Sequence, residues 1–403
     1  MLPLPVSGMQ PMPDTGIFLL REAVKMSKNR LVYIDNLRLL MIIFVIAQHA
    51  AITYCGMGDW YYKETSDIGF NQAAFFLYYL SFFQGYFMGL LFLVAGYFTP
   101  VSYDKKNFKK FIIERLIRLG IPALLYMLII NPIIVCCVYS FEGIDYSILS
   151  FYMNYIISFA FISGSGPLWF SLALLVFTIA YALVKKLIRF KEQKEKDFPS
   201  ALKILGLILL IGICTFLVRI TQPIGVHILN MRLCYFSQYV ILFIVGIACK
   251  RNRWFEKLNY KRGILCLITV LILAYISWVI LMLSSLAVND DISVFNGGVS
   301  WQSALYSLWE SSVAVLMAIG LIPLFREKFN KQNKLLSTMS ANTFPVYVFH
   351  SLIVVVLSLL FAQVKLIPVV KFIFLLFISV PVCFIFTNFI IMKITVMRRL
   401  FKS

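Results

Sequence analysis

YIDNLRLLMIIFVIAQHAAITYC, residues 33–55, is the stretch whose reading decides the fold. It is an apolar run of the ~20 residues that a helix needs to cross a ~30 Å hydrocarbon core. Nine more such runs follow: Ala74–Phe98, Leu119–Tyr139, Pro167–Val184, Leu202–Val218, Leu233–Cys249, Ile264–Leu283, Ser303–Phe325, Thr343–Ala362 and Phe372–Met392. Hydrophobic residues make up 61% of the chain and charged ones 14%. Soluble domains carry roughly 45–50% and about 25%. No polar stretch between the runs is long enough to build a soluble core. The expected fold is therefore an all-α polytopic membrane protein of about ten transmembrane helices in a single membrane domain.

The connecting segments alternate in charge. The N-terminus carries Arg21, Lys25, Lys28 and Arg30, and the next basic segment carries Lys105, Lys106, Lys109, Lys110, Arg115 and Arg118. Basic character returns at Lys185–Lys203, Lys250–Arg262, Arg326–Lys334 and Lys393–Lys402. Between them, the segment 56–73 sets one Lys against Asp59, Glu64 and Asp67, while 140–166 and 284–302 contain no Lys or Arg. By the positive-inside rule both termini face the cytoplasm, with 1–32 and 393–403 as cytoplasmic ends and an even number of spans. The net charge of +19 reads as cytoplasmic loops rather than nucleic-acid binding. Lys105, Lys106, Lys109 and Lys110 also suit anionic headgroups or a polyanionic ligand. Residues 147–163 are apolar as well. Counting them as a crossing would put the Lys185 segment outside, so they are expected to form a short re-entrant or interfacial helix on the outer face. The first thirty residues lead into an uncleaved first helix, and Met26 offers an alternative start.

The eight cysteines contain no CxxC pair, and Cys136, Cys137, Cys214, Cys266 and Cys383 lie within apolar runs, so neither a disulfide framework nor a metal site is expected. Neither a P-loop nor an HExxH motif is present.

Charge within a membrane is expensive, which makes each such residue a functional candidate. On the first run, eleven steps of 100° separate Arg38 from His49, only ~20° past three full turns, and Asp35 lies ~40° away. All three share one face, with Arg38 and His49 ~16 Å apart along the axis. Two readings stand. In one, Asp35 caps the helix, Arg38 snorkels to headgroups and His49 is a core histidine. In the other, the stripe lines a substrate channel, with a titratable imidazole suited to general-base work.

These residues bear a resemblance. The spacing Arg38-x10-His49 after Asp35 in YIDNLR resembles the first helix of the membrane-bound acyltransferase-3 family, which includes polysaccharide O-acetyltransferases and glucan succinyltransferase-like members. AITYCGMGDWYY (51–62), ERLIRLGIP (114–122), GPLWFSLALL (166–175) and TFPVYVFH (343–350) continue the likeness in order, over about Leu31 to Arg399. Arg115 and Arg118 are separated by two residues where some members have a tighter Arg-x-Arg.

The resemblance implies a transmembrane acyltransferase domain, 33–392, that moves acetyl or succinyl from cytosolic acyl-CoA to a hydroxyl of an extracytoplasmic glycan. It implies His49 as general base, with Asp35 and His350 as further catalytic candidates. Arg38, Arg115 and Arg118 would bind the coenzyme, and Trp169, Glu310 and Tyr347 the acceptor. His350 has two alternative partners, Glu310 of the eighth run and Tyr347 of its own. His227, in an outer loop, is read as a surface residue. Expected partners are membrane lipids, the glycan acceptor and a second copy in a homodimer. The expected location is the bacterial cytoplasmic membrane, with no metal required. A transporter or flippase for a lipid-linked glycan is the competing reading, although such folds often show repeats that are not evident here.

Overall fold

Each apolar run becomes a helix, because a chain in hydrocarbon must satisfy its backbone groups internally. The computed structural model describes residues 31–64, 68–188, 194–289 and 293–402; the N-terminal segment and Met26 lie outside them. Among these residues, ten helices are long and apolar enough to cross a membrane. They are α1 (Val32–Tyr54), α2 (Phe70–Asp104), α3 (Phe108–Phe141), α4 (Gly166–Leu187), α5 (Ala201–Thr221), α6 (Leu233–Asn252), α7 (Tyr260–Ser284), α8 (Trp301–Lys328), α9 (Thr343–Leu360) and α10 (Pro368–Lys393).

The main departure is at α3. The Asn107 side chain accepts from the Lys110 amide at 2.8 Å, so the helix starts at Phe108 rather than near Leu119. Its first turns read FKKFIIER and are too polar for a hydropathy criterion to include. Arg115 and Arg118 consequently lie well inside a helix and not at its start. α3 also widens twice into π turns, at Leu116–Gly120 and Tyr126–Ile130. Each directly precedes a proline-bearing turn, at Pro122 and Pro132. Proline lacks the N–H for an i→i−4 bond and crowds that carbonyl, so the backbone adjusts just before it.

Hydrogen bonds tie alternate connections together at opposite ends of the bundle. At one end, the Asn36 amide donates to the carbonyls of Phe329 and Lys331, next to the start of α1, and Asn342 reaches Asn388 near the end of α10. Arg326 donates to three carbonyls of the α6–α7 connection, and Trp254 to two of the α4–α5 connection. At the other end, Ile224 pairs with Asn296 across two loops, and Asn230 donates to the Gly166 carbonyl at 2.8 Å. The first and last described helices thus meet the same, basic end.

α2 and α6 form a close interface. A Cβ on Gly96 would lie 2.0 Å from the Phe243 carbonyl oxygen, and one on Gly246 2.0 Å from that of Leu93. Only glycine at both positions lets the two backbones touch, the small-residue device of membrane helix pairs. α1 packs against α2, α8, α9 and α10, with Ile34, Leu37, Ile46 and Ala50 fully buried. Residues 148–157 form a ten-residue helix, about 15 Å long and too short to cross. It lies along α3, where Tyr155 donates to the Met127 carbonyl at 2.7 Å, and its Ile148, Leu149, Met153 and Ile157 remain exposed.

Candidate functional site

A cavity of about 790 Å³ occupies the end of the bundle opposite the basic connections. It is lined by the last turns of α1, the first half of α2, the start of α4 and the loop from Ile224 to Arg232. His49, in the second-last turn of α1, is half-buried and opens onto it.

Four rings stack in sequence from the loop after α1 into the bundle. Trp60 lies on His49 at 4.0 Å and 14°, His49 on His350 at 5.2 Å and 29°, and His350 on Tyr347 at 5.8 Å and 21°. His350 is fully buried behind His49 and does not line the cavity. Its Nδ1 sits 2.7 Å from the Tyr347 carbonyl of the preceding turn, which assigns a proton to that nitrogen. Among the described residues, the buried Nδ1 atom of His49 has no hydrogen-bond partner. No carboxylate among those residues therefore orients that ring through Nδ1. Stacking does.

Trp60 belongs to a strap, residues 56–64, that turns back from the end of α1 through Gly56 and Gly58, both with positive φ. Asp59 pairs with Arg232 at 3.1 Å, and Glu64 takes two 2.7 Å bonds from Lys371 at the start of α10. Tyr61 enters a buried hydroxyl chain. It donates to Asn131 Oδ1 at 2.5 Å, leaving its oxygen to accept from Tyr126 at 2.9 Å, which in turn accepts from Ser351 at 2.7 Å. Burial, with Tyr126 and Tyr155 nearby, holds the Tyr61 phenol well above its usual range, so it stays a neutral donor. Tyr126 and Asn131 sit at the second π turn and just after it. A π turn is often found where a helix presents functional side chains.

A buried ion pair stands behind the cavity wall. Arg219, at the end of α5, is fully buried and bonds Glu310 of α8 and the Ser307 hydroxyl. Its guanidinium lies 5.3 Å from the Tyr235 ring and 5.4 Å from that of Tyr306, both cavity-lining. Glu310 thus pairs with Arg219 and not with His350, which takes the alternative arrangement with Tyr347. Arg219 escapes a sequence reading because it follows an apolar run and resembles a loop residue. Its place at a connection whose one other charged residue is Arg232 was the available signal.

The remaining sequence candidates divide by end. Trp169 and Tyr347 line the cavity; Trp169 stacks on Tyr239 at 5.6 Å, and the Tyr347 hydroxyl donates to the Pro167 carbonyl. His227 is exposed yet lines the mouth, so its loop folds over the cavity rather than away from it. Asp35 does not cap α1: the N-cap is Leu31, without a side-chain bond, and Asp35 lies 3.8 Å from Arg38. Arg115 is half-buried with its guanidinium 4.8 Å from the Phe111 ring, and Arg118 is exposed. Asp35, Arg38, Arg115 and Arg118 do not line the cavity. The polar stripe of α1 is thus divided between two environments rather than forming one continuous cavity.

A family model described as an acyltransferase domain matches residues 31–388. No curated protein and no solved structure matches the chain.

Proposed function

Since the chain belongs to the acyltransferase-3 family, whose model spans residues 31–388, we propose that it moves an acyl group from cytosolic acyl-CoA to a hydroxyl of an extracytoplasmic glycan, with His49 as general base. Family membership makes the protein a membrane acyltransferase; the donor, the acceptor and the base are our reading. The observation that carries it is His49, opening onto a 790 Å³ cavity at the end away from the basic connections.

In this reading the cavity holds the acceptor, and His49 takes the proton from its hydroxyl. The oxygen attacks the thioester carbonyl, the C–S bond breaks, and the leaving CoA thiolate accepts the proton. A thiolate needs no strong acid, so one imidazole suffices. Arg38, Arg115 and Arg118 supply guanidinium groups for the coenzyme phosphates at the basic end. Arg38 lies eleven residues before His49, about 16 Å along α1, so the thioester arm would run inward beside that helix. Acetyl and succinyl both remain within the proposal as the transferred group.

Membranes incubated with radiolabelled acetyl-CoA or succinyl-CoA test it. Label should pass to a glycan, and His49→Ala should lower the rate by about 10²–10⁴-fold while the protein remains inserted. Near-normal transfer by well-expressed His49→Ala would reject His49 as the base. Loss of transfer in His350→Ala alone would move the base to α9.

A further inference from the structure

The four-ring stack leaves a chemical question at His49. A base that takes a proton becomes an imidazolium, and a buried imidazolium needs a counter-charge or a polarisable neighbour. In many acyl-transfer sites a carboxylate bonded to the far nitrogen serves this purpose. Here the His49 Nδ1 atom has no such partner among the described residues. The described charged and titratable groups around His49 do not provide one. On α9 the facing group is His350, whose proton is committed to the Tyr347 carbonyl. On the strap, Asp59 is paired with Arg232 of the facing loop, and Tyr61 is a neutral phenol within the hydroxyl chain. His227 lies at the cavity mouth. On α10, Lys371 and Glu64 neutralise each other. Asp35 and Arg38 lie more than two turns away on α1 itself.

We propose that Trp60 acts through His49, with its indole face stabilising the imidazolium that forms when His49 takes the acceptor's proton. The proposal rests on the reading of His49 as the base. The ring separation of 4.0 Å and the 14° interplanar angle place the imidazole flat on the indole. Tryptophan has the most favourable ring face for a cation, and the attraction grows when water is excluded. The strap fixes this geometry from both sides of Trp60: Asp59 is held by Arg232, Tyr61 by Tyr126 and Asn131, and Glu64 by Lys371. His350 backs the opposite face of His49, so the imidazole can hardly tilt and its ring edge stays turned to the cavity. Trp60 is a positioning residue in this scheme. It stabilises charge that exists only once the proton has moved, which is the condition for accelerating the step rather than tightening substrate binding.

The sign of the pH effect follows. A ring that stabilises the protonated imidazole raises its pKa, so removing the ring lowers it and carries the acid limb of the rate profile to lower pH. The test is the pH profile of kcat/KM for Trp60→Phe and Trp60→Leu, measured in membranes with labelled acyl-CoA, beside His49→Ala. Trp60→Leu should lose roughly three- to thirtyfold in kcat/KM. Its acid limb should move down by on the order of one pH unit. Trp60→Phe keeps an aromatic face, should fold like the parent and should restore part of both effects. A fall in rate with an unmoved acid limb in both variants, or Trp60→Phe no better than Trp60→Leu at equal folded protein, overturns the proposal. If His49→Ala retains transfer, the failure lies with the base itself, and that result is separable from the other two.

Discussion

Arg219 and Glu310 show what a single pair of residues contributes. Two charges taken out of water cost several kcal/mol each, and their mutual attraction offsets that only with good geometry and further bonds. Here the guanidinium has Glu310, Ser307 and two tyrosine faces, but its Nε and Glu310 Oε1 are buried without partners among the described residues. Such a pair contributes little net stability, whereas breaking it leaves one naked charge. Arg219→Met or Glu310→Leu alone should therefore destabilise the bundle by about 3–5 kcal/mol. The double variant should recover most of the loss. Thermal unfolding in detergent measures this, and a double variant as unstable as the sum of the singles would show that the pair holds the cavity wall in place. Residue-level chemistry was only partly legible in the sequence. His49 stands out as an imidazole in an apolar run, but its partners come from a loop and from α9, about 300 residues away. No periodicity along one helix encodes that meeting.

At the scale of elements, the α2–α6 interface rests on Gly96 and Gly246 in mutual backbone contact. Gly246→Ala puts a methyl group where the Leu93 carbonyl already sits, 2.0 Å away. The helices have to separate, with a loss of about 1–3 kcal/mol typical of overpacking. A thermal midpoint unchanged from the parent protein would contradict this close approach. All ten helices were legible from hydropathy because hydrocarbon makes a long apolar run sufficient for a span. The errors fell where the criterion is blind. α3 begins at Phe108 because an Asn107 cap and polar turns extend it beyond the apolar part, and α2 runs on through Pro100 to Asp104. The short helix at 148–157 was separable from a span by length and by the charge of the connections around it.

Across the whole molecule, the connections sort to two ends, and the positive-inside rule assigns the basic end to the cytoplasm. Single cysteines at Lys194 and Asp145, both exposed, test this in a background without the eight native cysteines, none of which is disulfide-bonded. An impermeant maleimide should label position 145 on intact cells and position 194 only after permeabilisation. The reverse pattern would invert the protein and place the His49 cavity in the cytosol.

α3 is one continuous helix carrying both Arg115 and Arg118 near the basic end, and further along it Asn131 of the cavity lining and Tyr126, bonded to Tyr61. Each π turn holds one residue more than a regular helix would use. The chain is therefore out of phase with itself across each of them. Drawing either turn into a regular helix without removing a residue would rotate one side against the other by about 100° and lengthen the helix by about 1.5 Å. Within Leu116–Gly120 that rotation would swing the two arginines away from the face they share with the rest of α3. Within Tyr126–Ile130 it would part Tyr126 from Asn131, and with them the two anchors of Tyr61. The phase of α3, rather than its length or hydrophobicity, is what keeps the two ends of the molecule aligned.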